Sequence, residues 1–394
     1  MTISELEFLQ SPVGQQVFQD FFDDPQAVQS PERLIMKLRK KFPAEVGAVI
    51  HQIKLHHTAP EKLGDCTGLI LTQAGVEQAT RTEVSGHVAK RYRKFSSVTD
   101  GTAGIGADAR SIVDDAGQVI EHDLVIAKIL EHNLSQWRPE SSISVREADC
   151  LDPEIEWGNA VYLDPARRDK EGRRTAQMNL WSPNLYQLIP QITDQTHNIG
   201  IKISPATDWE QVDKLGLEYE GEVIAWNFRV KQTMIWTGEL KSEVSRRATI
   251  LPDTWSLTDH DPVENISVTP AKTYIVEPNN AILRAGLLDQ FCTRYGCTKL
   301  DPHIGYVTTD TIPEFESDHV ARAYRIMDME KYNVKHLKKA LNGYHGEGIE
   351  LRRRGFPETP DQVKKKLNIP DGNDLTVLLT RIGPSLYSII CEKV

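Results

Sequence analysis

Cysteine is scarce in this chain, with five in 394 residues (66, 150, 292, 297 and 391), an odd number scattered along its length. That excludes a disulfide framework and predicts reduced thiols. Long hydrophobic runs are missing as well, since no stretch reaches the ~18 apolar residues of a membrane helix. Residues 1–10 are acidic and carry no basic group, unlike a secretory leader. A cytoplasmic protein is expected. Internal repeats and low-complexity tracts are absent. So is an excess of positive charge: the net charge is -10, which as a whole argues against nucleic acid, because phosphate binding draws on clustered Lys and Arg.

What is present is a globular composition, 39% hydrophobic and 26% charged, in a chain long enough for roughly two to four domains. The positive charge it has is concentrated. Between residues 331 and 366, ten Lys and Arg stand against four acids, and between 81 and 94 five stand against Glu83 alone. Such runs read either as solvated faces or as two surfaces for a polyanion.

The pattern divides the chain into four parts: 1–95, 96–250, 265–320 and 321–394. The first reads as helical, with Ser30-Pro31 as an N-cap followed by proline, then Leu34, Leu38 and Phe42 at helical spacing. An extended piece at 69–71 precedes a further helix. In the second part, strands at 97–102, 118–122, 143–148, 160–163 and 199–203 alternate with helical patterns, which predicts an α/β fold with a parallel, Rossmann-like sheet. Segments 223–230 and 234–240 follow too closely for a crossover helix, so a hairpin adds an antiparallel strand. The Pro- and Asp-rich stretch after Leu251 reads as a linker. Beyond it come a strand at 274–277, a helix at 279–295 and a strand at 303–308. The last part holds a strand at 323–329, a basic helix, a strand at 349–354, a helix at 360–367 and strands at 376–380 and 387–391.

Residues 96–106, Ser-Ser-Val-Thr-Asp-Gly-Thr-Ala-Gly-Ile-Gly, join a strand to a glycine-rich turn that opens a helix, the nucleotide corner of such a sheet. Gly104 to Ala109 also fits G-x-G-x-x-A, so a nicotinamide dinucleotide competes. Four acids at consecutive strand ends favour S-adenosylmethionine instead. Asp100 can take an amino-acid ammonium, Glu121 both ribose hydroxyls and Asp149 the adenine amine, while Asp164 opens Asp-Pro-Ala-Arg-Arg at the fourth strand end. Any one of them could be a plain N-cap. Gly101, Thr102, Ala103, Gly104 and Gly106 would bring backbone to the cofactor, with Asp108, His122 and Cys150 beside it and Gln78 and Thr80 at its carboxylate end.

The acceptor side falls to Asp164, Pro165 and Arg167 as the chemical group, with Lys202 lining the pocket and Arg168 beside Arg167 as a grip for a substrate phosphate. An acid beside the methyl group can orient or deprotonate an acceptor. Cys150 would serve only as a thiolate for pyrimidine carbon-5 chemistry, and as a small buried cysteine it reads more simply as core. Cys292, Cys297 and His303 lack a second C-x-x-C pair and read as core, so no metal is expected. Arg352, Arg353, Arg354, Lys364 and Lys365 would hold nucleic acid. A NAD-dependent oxidoreductase and a non-catalytic RNA-binding protein remain as alternatives.

The turn Asp100-Gly-Thr-Ala-Gly-Ile-Gly resembles the D-x-F-A-G-x-G motif of class I S-adenosylmethionine-dependent methyltransferases, especially those acting on RNA, with Thr102 at the aromatic position. Glu131-His132-Asn133 is similar to the asparagine that ends the following helix in RNA enzymes, and the closing hairpin is similar to their antiparallel seventh strand. The whole chain resembles a bacterial group of methyltransferases with a helical N-terminal part, a ferredoxin-like insert and a C-terminal THUMP-like domain. The segments that carry this are Glu77-Gln-Ala-Thr80, Asp164-Pro-Ala-Arg-Arg168, Lys202-Ile-Ser-Pro205, Glu277-Pro278, Arg284-Ala-Gly286 and Arg353-Arg-Gly355. The resemblance implies S-adenosylmethionine as cofactor and an RNA substrate, tRNA or rRNA. It departs from the D-P-P-Y tetrad of exocyclic-amine methylation, because Arg167 stands where the stacking aromatic would be. A purine ring nitrogen, or a position neutral until deprotonated, is therefore favoured over an exocyclic amine as acceptor.

Overall fold

The computed structural model describes residues 1–23, 36, 39–167, 173, 175–344, 348–369, 372 and 375–394. Ser30, Pro31, Leu34, Leu38 and Arg168 lie outside them. The chain forms two compact units, one of residues 1–219 and 234–242, the other of 220–233 and 243–394. No helix among the described residues is long and apolar enough to cross a membrane.

The first unit opens with helices Ile3–Gln10, Pro12–Phe22, Val46–Thr58, Pro60–Leu63, Gln73–Gln78 and Thr82–Ala89. Thr2 and Glu5 close a capping box on the first, and Ser11 caps the second by accepting from the Gly14 amide. Their apolar faces share a core of Leu6, Val49, Ile53, Leu63, Leu71 and Val76 with Ile105 of the glycine turn and Ile129. Segment 69–71 forms no strand. Side chains satisfy its backbone: Leu71 N donates to Gln52 Oε1 (2.9 Å) and Ile70 N to Asn133 Oδ1 (2.8 Å). Asn133 does not end its helix either. That helix runs Leu124–Trp137, and Asn133 is a buried mid-helix clamp that also reaches Ile105 O.

The sheet of this unit has strands β1 (Val98–Asp100), β2 (Gln118–Glu121), β3 (Ser144–Glu147), β4 (Ala160–Leu163) and β5 (Ile199–Ile203) in the order β3-β2-β1-β4-β5, all parallel. The alternation of side chains sorts its two faces. Ile120, Val161, Leu163, Ile201 and Ile203 pack under the helix Leu185–Thr193. On the other face Gly200 leaves room for the rings of Tyr92 and Trp236, where a Cβ would collide. Next in chain order come β6 (Tyr219–Trp226) and β7 (Arg229–Thr237). The end of β7 lies beside the start of β5, with Ile199 N donating to Thr237 Oγ1 (3.0 Å), so β7 runs antiparallel to the rest.

The hairpin turn falls at Asn227 and Phe228, earlier than the sequence pattern suggests, because Asn227 supplies the positive φ (52°) that a two-residue turn demands. In the second unit β6 pairs in parallel with β8 (Arg246–Leu251), which turns back into β9 (Trp255–Thr258). The expected linker is thus partly a hairpin, closed through Pro252, Asp253 and Thr254 (φ 54°). A seven-stranded sheet follows in the order β11-β12-β10-β13-β16-β15-β14. Its strands are β10 (Tyr274–Pro278), β11 (Thr298–Lys299), β12 (Val307–Thr309), β13 (Ala321–Lys331), β14 (Ile349–Arg354), β15 (Leu375–Ile382) and β16 (Ser385–Lys393). The helix expected over 279–295 is split into Asn280–Arg284 and Leu288–Tyr295 by Gly286 at φ 77°. Helices Val334–Leu341 and Pro360–Leu367 share the core of Leu337, Leu341, Val363 and Leu367.

Candidate functional site

Because β1, β2 and β4 are parallel, their carboxyl ends fall on one edge of the sheet, and each carries an acid at its end or just past it. Asp100 closes β1, Glu121 closes β2 and Asp164 follows β4. Asp149 lies two residues past β3, exposed, with its Oδ1 accepting from Leu151 N (2.9 Å). Ala148 N donates to Glu121 O (3.1 Å), which sets that loop against the end of β2.

The glycine turn is tied to these acids by its own amides. Thr102 N donates to Asp100 Oδ1 (2.9 Å), Gly104 N to Glu121 Oε2 (3.1 Å) and Ala103 N to the backbone of Ile120 (3.1 Å). Gly104 has φ 54° and Gly106 φ 91°, conformations that favour glycine. A Cβ at Gly101 would stand 2.8 Å from Leu163 Cδ2, and one at Gly106 2.9 Å from Leu130 Cδ1, whereas above Gly104 nothing lies within 4 Å. Gly101 and Gly106 are therefore glycine for packing. Gly104 opens onto free space.

Asp100 is buried, and among the described residues the Thr102 amide is its donor. Its carboxyl is held well above the usual range, chiefly by burial, with the charges of Asp108, Asp164 and Glu121 adding to the effect and the Thr102 amide opposing it. Glu121 Oε1 accepts from Asp123 N (3.0 Å) and faces His122 Nδ1 (3.0 Å), although the His122 ring itself is exposed.

Behind this rim lies a buried polar cluster. Lys202 Nζ donates to Asp164 Oδ2 (2.6 Å) and Thr80 Oγ1 (2.7 Å) and stands 3.4 Å from Asp108 Oδ2. Thr80 Oγ1 and the Tyr162 hydroxyl also donate to Asp108 Oδ2, at 2.8 and 3.0 Å. Burial alone would lower the Lys202 ammonium. The adjacent carboxylates of Asp164 and Asp108 outweigh it and hold the ammonium above its ordinary value. Thr102 Oγ1 accepts from Asp164 N (2.6 Å), so the residue at the aromatic position of the motif ties β1 to the acid after β4.

The structure thus brings together Thr80, Asp100, Gly101, Thr102, Ala103, Gly104, Gly106, Asp108, Glu121, Asp164 and Lys202. Pro165 is buried, and Arg167 is half-buried with its charge felt at Lys202. Gln78 is exposed at the end of its helix, two residues before Thr80. The Cys150 thiol is buried and pushed up to about 12, by burial first and the Asp149 charge second, which opposes a thiolate at neutral pH. The thiols of Cys292 and Cys297 are also buried and pushed up to about 12, and no group of three metal-ligating side chains occurs among the described residues.

The arginines assigned to nucleic acid have partners within their own unit. Arg352 Nη1 donates to Glu277 Oε2 (3.0 Å) and Nη2 to Glu350 (2.7 Å). Arg354 Nη2 reaches Glu277 Oε1 (3.4 Å) and Pro278 O (3.0 Å), and Arg322 Nη1 lies 3.6 Å from Glu277. Arg353 donates to the carbonyls of Phe356, Pro357 and Glu358. Arg322, Arg352 and Arg354 brace the domain around one buried carboxylate. Arg353 is exposed, as are Lys335, Lys338, Lys339 and Lys365.

Sequence reasoning missed Tyr162 and the ion pair between Lys202 and Asp164. The signal was there: a single lysine inside the apolar strand Ile-Gly-Ile-Lys-Ile has to find a charge partner.

Comparison with known proteins gives two domain matches. Residues 274–315 match a family described as a ferredoxin-like domain and 321–393 one described as THUMP domain-like, and the chain carries both. Two proteins of Mycobacterium tuberculosis, each named an uncharacterised S-adenosylmethionine-dependent methyltransferase, are 29% identical over 366 residues, covering 91% of this chain and 99% of theirs. A crystal structure of a Porphyromonas gingivalis protein, described as a candidate methyltransferase, superposes over 100% of both chains with a TM-score of 0.76 at 20% identity. The chain has the fold of that protein.

Proposed function

We propose that this chain is an S-adenosylmethionine-dependent methyltransferase that methylates a base in RNA, tRNA or rRNA, in the cytoplasm. The observation that carries the reading is the meeting of Asp100, Glu121 and Asp164 at one sheet edge around a glycine turn open above Gly104. Asp100, buried with a single amide donor, suits an ammonium ligand. Glu121 suits vicinal hydroxyls, and Asp149 the adenine amine. Bound S-adenosylmethionine supplies a methyl group on a sulfonium, and the residues supply the grip, the alignment and the acceptor's hydrogen-bond partner. A dinucleotide fits worse, because its pyrophosphate would enter a turn surrounded by carboxylates. The names of the mycobacterial relatives support the cofactor.

The RNA reading is supported by the THUMP domain-like match and by Lys335, Lys338, Lys339 and Lys365, exposed on two helices that share one core. On this reading, 1–95 completes the site of a catalytic domain at 96–250, and the domains at 265–320 and 321–394 receive the substrate. Incubation with total RNA and labelled S-adenosylmethionine, followed by nucleoside analysis, tests it. Label in one methylated nucleoside is expected; label only in protein or a small molecule refutes the RNA assignment.

A further inference from the structure

We infer that Lys202 is a positioning residue that occupies one oxygen of Asp164, so that the other, Oδ1, receives a hydrogen carried by the methyl acceptor. The inference rests on the methyltransferase reading and narrows the substrate to a neutral nitrogen bearing a hydrogen.

Three features of the site support it. The Lys202 ammonium has three hydrogens, and Asp164 Oδ2, Thr80 Oγ1 and Asp108 Oδ2 receive them. Nothing is left for a substrate, so Lys202 acts on an acceptor only through Asp164. Second, the Asp164 backbone is fixed by the Thr102 hydroxyl and its Oδ2 by Lys202, and no described side chain donates to Oδ1. The side chain keeps 23% of its surface exposed, so that oxygen can be reached. Third, Lys202 is shared between Asp164 and Asp108, with Asp100 and Glu121 nearby, so four carboxyl groups outnumber the Lys202 ammonium and the half-buried Arg167 guanidinium together. An anionic acceptor such as a phosphate or carboxylate would be repelled. A neutral N–H would be held.

The step balances without another reagent. The nitrogen–carbon bond forms, the carbon–sulfur bond breaks with its electron pair left on sulfur, and the nitrogen's proton passes to Asp164 Oδ1 and then to solvent.

Four proteins test this: wild type, Lys202→Met, Asp164→Asn and the double variant, with Lys202→Arg as the conservative rescue and circular dichroism to confirm folding. Lys202→Met should lower kcat by about 100-fold, at the low end of general acid–base effects, and leave S-adenosylhomocysteine affinity by calorimetry within about threefold. In the Asp164→Asn background it should cost little more, and Lys202→Arg should recover part of the loss. Equal losses in both backgrounds, or a parallel fall in S-adenosylhomocysteine affinity, would overturn the inference. If the wild type methylates no RNA, the substrate reading fails, and the pair is then judged by urea midpoints. Non-additive midpoints among the four proteins uphold the coupling and additive ones reject it. Should Lys202→Met not fold, Lys202→Gln takes its place in every comparison.

Discussion

Gly104 donates its backbone N–H to the Glu121 carboxylate across 3.1 Å, which locks the open point of the glycine turn to the acid that ends β2. The same carboxylate orders the Asp123 amide at the start of the next helix.

On the proposed reading, Glu121→Ala should therefore remove a ligand partner and loosen the turn at once. A charge-assisted hydrogen bond is worth roughly 1.5–3 kcal/mol, so S-adenosylhomocysteine affinity should fall by about 10- to 100-fold. Isothermal calorimetry checks this. Unchanged affinity would mean that the ligand lies elsewhere.

Asp100→Asn should stabilise the ligand-free protein at neutral pH. The Asp100 carboxyl is held above its ordinary range, mainly by burial, so the folded chain binds that proton more tightly than the unfolded chain. Its contribution is fully present below the unfolded value of about 4 and is lost as pH rises toward the folded value. Removing the charge should then raise stability near pH 7 and change it little near pH 3, because the folded chain holds that proton more tightly than the unfolded one. Denaturation across a pH series reads the difference. The same variant should lose S-adenosylhomocysteine binding, and a variant less stable at pH 7 would count against an uncompensated carboxylate.

Cys150→Ala should keep methyl transfer within about threefold. Burial and Asp149 push the thiol up to about 12, leaving almost no thiolate at neutral pH. A loss of about a thousandfold, or a covalent protein–RNA adduct on a denaturing gel, would restore the carbon-5 route.

Glu277→Gln should destabilise the protein by about 3 kcal/mol or more, because it strips the shared partner from Arg322, Arg352 and Arg354. The urea midpoint reports it. If the midpoint holds while RNA binding collapses, those arginines serve the substrate after all.

Reversing exposed charge, as in Lys338→Glu with Lys339→Glu and Lys365→Glu, should weaken tRNA binding. The slope of log affinity against log salt should flatten by about one for each lysine that had neutralised a phosphate. Filter binding at several salt concentrations measures this. S-adenosylhomocysteine affinity should not move.

Strands β1, β2, β4 and β5, the glycine turn and the acids at the strand ends were legible from the sequence, because alternation and strand-end chemistry are local. The hairpin turn and the β8–β9 pair were less so. Asn227 and Thr254 adopt positive φ where no Gly marks the bend, and a Pro-Asp pair reads as linker and as tight turn alike. The basic cluster misled for another reason: a count of charges does not show that Glu277, far away in sequence, gathers Arg322, Arg352 and Arg354 in space. Lys202 and Asp164 are 38 residues apart, and their pairing depends on β4 and β5 lying side by side.

Thr80 belongs to the opening helical region, yet its hydroxyl is wedged between the Lys202 ammonium and the Asp108 carboxylate. A chain shortened to begin at β1 would keep every glycine of the turn and still leave that ammonium one acceptor short. On the proposed reading, trimming the first ninety-odd residues is thus an incision into the reaction chamber, and the smallest working fragment has to start upstream of it.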